Sequence, residues 1–238
     1  MKTETIDYQD GAIGCQGWAI HDEASGADRP GVLLAPDMRG LGPHSKARAE
    51  RLAQLGFVVL VADLYGGGRT PRDFADGMDL IKGLRSSTAG WRQRIRAGLD
   101  ALAALPGVDR RRLAAIGFCF GGSTVLELAY SGADLAAVVS FHGALDGPQL
   151  DDAANIKARI LVCNGADDPL VGDEQVTAFK AAMRRGRVAD WQVVEYGNTK
   201  HGFTDPDADK AGAPELAYSA DADSRSWASM CALFDACF

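Results

Sequence analysis

One cysteine near the middle of the chain stands in a pattern that could make it a nucleophile. Cys119 is the centre of Gly117-Phe118-Cys119-Phe120-Gly121, between an apolar run and a segment with helical spacing. A sharp strand-to-helix turn strains its central residue and needs small residues two positions before and after it. The following helix would point N–H groups at the sulfur and favour the thiolate. The alternative is a cysteine that is merely packed tightly.

Two later loops supply the base and the acid that such a nucleophile needs. Catalytic groups of a parallel sheet lie after the strands, and the acid precedes the histidine along the chain. Asp168 follows one apolar run and His201 follows the next. Alone, each fits a turn aspartate or a surface histidine, but the order of all three favours a triad of Cys119, His201 and Asp168. Asp167 competes for the role of the acid.

The elements that must position these residues form an α/β pattern. Strand-like runs alternate with helical patterns, which predicts a mostly parallel sheet covered by helices on both faces. No linker or repeat interrupts the pattern, so we expect one domain over residues 1–238. The predicted strands are residues 3–8, 12–20, 31–35, 57–62, 113–116, 136–141, 160–164 and 191–196. The predicted helices are residues 45–55, two segments between 71 and 104, 123–130, 175–185 and 224–238.

Composition narrows the class of partner. A net charge of −7 argues against nucleic acid and anionic membrane surfaces. No run approaches the roughly 18 apolar residues of a membrane span. The first residues lack the apolar core of a signal peptide, and scattered cysteines suit reduced thiols, so we expect a cytoplasmic protein.

The histidines do not show the spacing of metal ligands. We therefore expect no metal or cofactor, a small-molecule substrate, and a monomer or weak homodimer.

Three motifs resemble those of the dienelactone hydrolase family of the α/β-hydrolase fold. They are Gly-Phe-Cys-Phe-Gly-Gly, Gly-Ala-Asp-Asp-Pro-Leu-Val and His-Gly-Phe-Thr-Asp-Pro, and the similarity runs from about Gly31 to the C-terminal helix. The resemblance implies Cys119 as nucleophile, His201 as base and Asp168 as acid. In the first post-strand loop the family carries a glutamate that contacts the resting thiol. Asp37 occupies that position here and is expected to modulate the nucleophile.

The expected reaction is a two-step acyl transfer. The Cys119 thiolate attacks an activated carbonyl, and water activated by His201 releases the acid from a thioester. The backbone N–H groups of Met38 and Phe120 are expected to hold the oxyanion. The resemblance also implies an arginine four residues after the catalytic histidine, which would hold a substrate carboxylate. Asp205 stands there instead, so we expect neutral esters or lactones.

Two other functions stay open. The thiolate could attack phosphorus in neutral organophosphate triesters, because an oxyanion hole also suits a phosphoryl oxygen. A non-catalytic protein that binds a ligand or responds to redox state could also keep the fold and a reactive cysteine.

Other residues near these loops have more ordinary expected roles. We expect His44 and His142 to be structural residues. We expect three cysteines to be small core residues, namely Cys163, Cys231 and Cys237. Aromatic residues that could line a pocket or fill the core are Tyr65, Trp91, Phe118 and Phe120. Arginines that could compensate for Asp205 are Arg39, Arg69, Arg72 and Arg85.

Overall fold

The computed structural model describes residues 1–22, 28–147 and 150–238 and contains two compact units, residues 1–116 and 117–238. The predicted α/β fold with mostly parallel strands is confirmed. That the chain forms one domain stays a prediction. No helix in the described residues is long and apolar enough to cross a membrane.

The first unit opens with an antiparallel hairpin formed by the first two predicted strands. Strands β1 (Lys2–Asp10) and β2 (Ile13–His21) pair along their whole length. The turn between them places Gly11 at φ +58°, a conformation that favours glycine. Strand β2 then runs antiparallel to β4 (Val58–Val61), which is parallel to β3 (Arg29–Ala35). The loop after β3 is the one that carries the predicted nucleophile-modulating residue.

Strands β3 and β4 are buried, as their continuous apolar runs predict. Every residue of β4 is buried, and so are the last five residues of β3, so both faces of these strands are covered. Helices α1 (Pro43–Gln54) and α3 (Thr88–Ala104) pack against them. The two helices predicted between residues 71 and 104 are confirmed. Helix α2 (Phe74–Arg85) ends before Ser87, and the Ser87 hydroxyl accepts the Gly90 N–H at the start of α3.

Strand β5 (Val108–Phe118) begins five residues earlier than the predicted strand at 113–116. Its first half is mostly polar and partly exposed. There Asp109 forms ion pairs with Arg111 at 3.1 Å and Arg112 at 3.0 Å. The sequence pattern detected only the buried half, because a run of charged residues shows neither apolar continuity nor alternation.

The second unit contains the strands that end beside the predicted acid and base. Strands β6, β7 and β8 are parallel, so their carboxyl ends lie at one edge. Two short 3₁₀ helices were not predicted, because a single turn carries too little periodicity. The elements are α4 (Phe120–Tyr130), β6 (Ala137–Phe141), β7 (Arg159–Gly165), α5 (Asp173–Arg185), β8 (Trp191–Tyr196) and α6 (Ala220–Asp235), with 3₁₀ helices at Leu150–Asn155 and Ala208–Ala211.

Candidate active site

Cys119 occupies the strained turn that its flanking glycines predict. Its backbone has φ +53° and ψ −119°, and helix α4 begins at the next residue. A Cβ on Gly117 would overlap the carbonyl group of Gly121, so this approach of strand and helix requires glycine. The Cys119 carbonyl accepts the Gly122 N–H at 2.9 Å. The thiol is free and half-buried at the helix N-terminus.

Asp168, rather than Asp167, contacts the predicted base. Its Oδ2 lies 2.7 Å from Nδ1 of His201, and its Oδ1 accepts the Leu170 N–H at 2.8 Å. Asp168 and His201 are 4% and 5% exposed, whereas Asp167 faces solvent. Because the carboxylate accepts, Nδ1 carries a proton and Nε2 is the nitrogen left for chemistry.

The charge of Cys119 acts on His201. Burial lowers the pKa of His201, but the charges of Cys119 and Asp168 and hydrogen bonds with them outweigh burial and raise it to about 10. Within the described residues, the contact made by Nε2 of His201 is looser than a well-formed hydrogen bond. Loose contacts of this kind are common in resting active sites and tighten when substrate binds. The second unit thus brings the predicted nucleophile, base and acid together, while their roles stay a prediction.

His142, expected from the sequence to be structural, lies between the nucleophile turn and the histidine loop. The Cys119 N–H is shared between the Phe141 carbonyl at 3.0 Å and Nδ1 of His142 at 3.1 Å. Nε2 of His142 lies 2.8 Å from Oγ1 of Thr204. The His142 ring meets the His201 ring edge-on, with centroids 5.0 Å apart. The position of His142 carries the same signal as the positions of the predicted acid and base, because His142 directly follows a buried strand.

Asp37, in the loop after β3, is held by Arg39 and by the imidazole of His44, both in the first unit. Its Oδ1 accepts the Arg39 N–H at 2.8 Å, and its Oδ2 lies 2.6 Å from Nη2 of Arg39 and 3.3 Å from Nδ1 of His44. Burial raises the pKa of Asp37, but hydrogen bonds from His44 and Arg39 outweigh burial and hold it well below its usual range. The carboxylate is therefore ionised and shapes its loop. An influence on Cys119 stays a prediction.

The loop that carries Met38 is anchored by a tyrosine and a buried aspartate that the sequence did not reveal. The Tyr65 hydroxyl donates to the Met38 carbonyl at 2.8 Å. Asp63, which is 2% exposed, organises the glycine-rich loop that contains Tyr65. Its oxygens accept hydrogen bonds of 2.7 to 3.0 Å from four backbone N–H groups, those of Gln16, Tyr65, Gly66 and Gly68.

The predicted pocket aromatics divide between a cavity and the core. A cavity of about 570 Å³ in the first unit is lined partly by Tyr65, and none of the three predicted triad residues lines it. We assign no ligand to this cavity. Trp91, Phe118 and Phe120 are buried, and Phe118 stacks on Phe141 with ring centroids 4.8 Å apart. For these three the core role is the one observed.

The arginines that could bind a substrate carboxylate all contact groups of the first unit. The partners are Asp37 for Arg39, Asp76 for Arg69 and Arg72, and the ring of Trp91 for Arg85. In the second unit Asp205 is half-exposed, and its Oδ1 accepts the Asp207 N–H at 3.0 Å. The position that holds a family arginine therefore carries a turn-forming carboxylate.

The remaining cysteines differ in burial. Cys163 is buried in β7, and burial raises its pKa to about 12, which suppresses the thiolate. Cys231 and Cys237 are only half-buried, so the prediction that they are core residues is correct only in part. In the part of the chain that the structure describes, no group of three or more His, Cys, Asp or Glu side chains could hold a metal ion.

Known proteins are similar to this chain in sequence and in fold. A crystal structure of a dienelactone hydrolase-like promiscuous phosphotriesterase from metagenomic libraries is 48% identical, with a TM-score of 0.94, covering 100% of this chain and 98% of that chain. An uncharacterized protein from Caenorhabditis elegans is 37% identical over 141 residues, which are 56% of this chain and 85% of that protein.

A carboxymethylenebutenolidase homologue from Mus musculus is 23% identical over 175 residues, which are 72% of this chain and 69% of the mouse protein. The sequence model of the dienelactone hydrolase family matches residues 18–238, from within β2 to the last residue. That match includes the nucleophile turn and both loops that supply its partners. The chain therefore belongs to the dienelactone hydrolase family.

Proposed function

We propose that this chain hydrolyses small, activated, neutral esters or lactones, with Cys119 as nucleophile, His201 as base and Asp168 as the acid that orients it. Membership of a hydrolase family supports action on ester bonds. The observation that carries the assignment is the 2.7 Å contact between Asp168 Oδ2 and His201 Nδ1. It fixes the tautomer of the imidazole and leaves Nε2 to exchange a proton with the thiol.

The reaction begins when His201 takes the proton of the Cys119 thiol. The raised pKa of His201 lets the imidazole keep that proton beside the sulfur. The sulfur of Cys119 attacks the carbonyl carbon, the bond to the leaving oxygen breaks, and that oxygen takes the proton from His201. Water then gives a proton to Nε2 and attacks the thioester. The carboxylic acid departs, and the thiolate is restored.

We assign the oxyanion to the backbone N–H groups of Phe120 and Met38. Phe120 is the first residue of α4 and directly follows the nucleophile, which is where this fold places one donor. Met38, whose N–H is the second donor, is anchored in its loop through its own carbonyl, which accepts from the Tyr65 hydroxyl. A single donor of this kind contributes about 2.7–4 kcal/mol to the transition state.

We assign Asp37 a modulating role towards the nucleophile. A carboxylate near the resting sulfur would hold the thiol partly protonated until substrate arrives. Arg39 offsets part of its charge, so we expect the Asp37→Asn variant to be alkylated by iodoacetamide only modestly faster, by less than about tenfold. An unchanged alkylation rate from pH 5 to 9 would leave Asp37 with its loop-forming role alone.

The preference for neutral substrates rests on charge. Two negative groups brought together in a partly dry cleft repel by several kcal/mol at short range. Asp205 is negative where the family has a cation, and Arg39, Arg69 and Arg72 are paired with carboxylates. These three arginines would therefore not neutralise the carboxylate of an anionic lactone.

A second activity is cleavage of neutral organophosphate triesters. The observation that favours it is the 48% identity, over the whole chain, to a promiscuous phosphotriesterase. The thiolate of Cys119 would form a bond to phosphorus while an aryloxide leaves, and water would then hydrolyse the phosphorylated cysteine. Mass spectrometry of protein quenched during turnover would detect that adduct on Cys119.

The test of both activities is a panel of chromogenic esters, lactones and phosphotriesters. Cys119→Ala should lose activity by more than about a thousandfold, because only binding and the oxyanion hole remain. Cys119→Ser should also be much slower, since a hydroxyl is harder to deprotonate than a thiol. Cys237→Ala is the matched control and should keep wild-type turnover. Wild-type turnover by Cys119→Ala would remove the nucleophile assignment and favour a binding or redox role.

A further inference from the structure

His142 links the nucleophile turn to the loop of the catalytic histidine. Its Nδ1 lies 3.1 Å from the backbone nitrogen of Cys119, and its Nε2 lies 2.8 Å from Oγ1 of Thr204. Thr204 comes three residues after His201 and is 1% exposed. One imidazole thus contacts the backbone of the nucleophile and the segment that carries the base.

The partners of the ring define its protonation state. The Cys119 N–H can only donate, so Nδ1 of His142 must be an acceptor without a hydrogen. The neutral imidazole therefore carries its hydrogen on Nε2, which donates to the Thr204 hydroxyl. A proton on Nδ1 would set two donors against each other at 3.1 Å.

The surroundings of His142 keep the ring in one place. The side chain is 2% exposed and its backbone has φ +41°, which non-glycine residues rarely adopt. The Phe203 ring packs edge-on against it, with centroids 5.2 Å apart, and the His201 ring does so at 5.0 Å. A costly backbone conformation held by packing on several sides marks a position that the fold over-determines.

We propose that His142, as the neutral Nε2–H tautomer, is a positioning residue that sets Cys119 and His201 relative to each other. The inference rests on the proposed function of these two residues. The His142 ring holds the Cys119 backbone through one nitrogen and the His201 loop through the other. Because displacement of a reacting group by about 1 Å can cost about a hundredfold in rate, such a link bears directly on turnover.

The first experiment reads the tautomer without measuring activity. A long-range ¹H–¹⁵N correlation spectrum of protein labelled on its 4 histidines gives the protonation state of each ring. Comparison with His142→Asn assigns the resonances of His142. We expect a neutral ring with its hydrogen on Nε2 at pH 7. A ring protonated on Nδ1, alone or in addition to Nε2, overturns the proposal.

The second experiment removes one contact with a matched pair of variants. Thr204→Val keeps the shape but lacks the hydroxyl that accepts from Nε2, whereas Thr204→Ser keeps the hydroxyl. For a neutral aryl ester, Thr204→Val should lower kcat by about tenfold or more and change KM little, because positioning acts on the transition state. Thr204→Ser should restore kcat to within about threefold of wild type.

The outcomes separate this inference from the proposed function. An inactive Cys119→Ala together with a fully active Thr204→Val overturns the role of His142 alone. Retained activity in Cys119→Ala overturns the proposed function. Equal losses of kcat in Thr204→Val and Thr204→Ser count against the hydrogen bond and overturn the proposal as well. If Thr204→Val does not fold, the tautomer of wild-type His142 still decides.

Discussion

Two buried aspartates, one in each unit, occupy similar positions and use their carboxylates differently. Asp63 comes shortly after β4 and Asp168 shortly after β7, and they are 2% and 4% exposed. Asp63 accepts hydrogen bonds from four backbone N–H groups. Oδ1 of Asp168 accepts one hydrogen bond from the Leu170 N–H, and its Oδ2 contacts Nδ1 of His201. A backbone N–H cannot change its protonation at any working pH, whereas an imidazole can.

The comparison shows that two carboxylates buried after parallel strands differ in whether their partner can titrate. Asp63 accepts the Tyr65 N–H, and the Tyr65 hydroxyl in turn donates to the Met38 carbonyl. Asp168 places its charge on a group that can move a proton. Exchanging each carboxylate for an amide should therefore affect stability in the first unit and turnover in the second.

The largest effect is expected at Asp168. Asp168→Asn keeps an oxygen for the Leu170 N–H but no longer holds His201 in the tautomer that frees Nε2. We expect kcat for a neutral aryl ester to fall by about ten-thousandfold, with a thermal unfolding temperature close to wild type. The matched control is Asp167→Asn, an exposed neighbour with the same change of charge. A large loss in Asp167→Asn and a small one in Asp168→Asn would reverse the assignment of the acid.

At Asp63 we expect a loss of stability rather than a loss of turnover. An amide replaces one acceptor oxygen by a donor, so backbone N–H groups in the glycine-rich loop lose their buried partner. We expect Asp63→Asn to lower the free energy of unfolding in urea by about 2–4 kcal/mol. The folded enzyme should keep kcat within about tenfold of wild type. A kcat loss as large as that of Asp168→Asn, without loss of stability, would erase the contrast between the two aspartates.

The pH dependence tests whether the partner of Asp168 titrates. The pKa of His201 in the folded protein is raised from 6.5 to about 10. As pH rises through about 10, His201 loses the proton that a leaving alkoxide needs, so kcat/KM for an alkyl ester should fall about tenfold per pH unit. A p-nitrophenyl ester, whose leaving group needs no proton, is the control and should show no such limb. Equal alkaline limbs for both substrates would point to loss of the folded structure instead.

The same shift has a consequence for stability. A histidine whose pKa is higher in the folded than in the unfolded chain stabilises the fold when it is charged. The contribution of His201 is fully present below pH 6.5 and is lost as the pH rises to about 10. Thermal unfolding of wild type should therefore weaken over that interval, and a smaller change is expected in Cys119→Ala, which lacks the thiolate.

Sequence reasoning predicted the turn at Cys119 because its signal is local. Glycines around Cys119 require a strained turn, and the confirmed turn has the expected positive φ. Asp63 and His142 were missed because their partners are distant in sequence. The Asp63 carboxylate binds the Gln16 N–H, 47 residues away, and His142 contacts Thr204, 62 residues away. No local sequence pattern reveals contacts over such separations. The order of nucleophile, acid and histidine along the chain is common to the fold, so the sequence could predict it.

The smallest effect is expected at Asp205, where charge acts on the substrate rather than on the reacting groups. Asp205→Arg should raise kcat/KM for an anionic lactone by about three- to tenfold, a modest gain because the position is half-exposed and screened by solvent. A neutral ester of similar size should be nearly unaffected.

Two controls separate local from general charge effects at Asp205. Asp205→Asn removes the repulsion but keeps an oxygen for the Asp207 N–H, so it should give part of the gain. Asp209→Arg makes the same change of net charge at an exposed position four residues on, and it should give less. If wild type already hydrolyses dienelactone faster than neutral aryl esters, the argument from Asp205 is wrong. Another cation must then hold the substrate carboxylate, and Arg39, the most exposed partner of Asp37, is the first to replace by alanine.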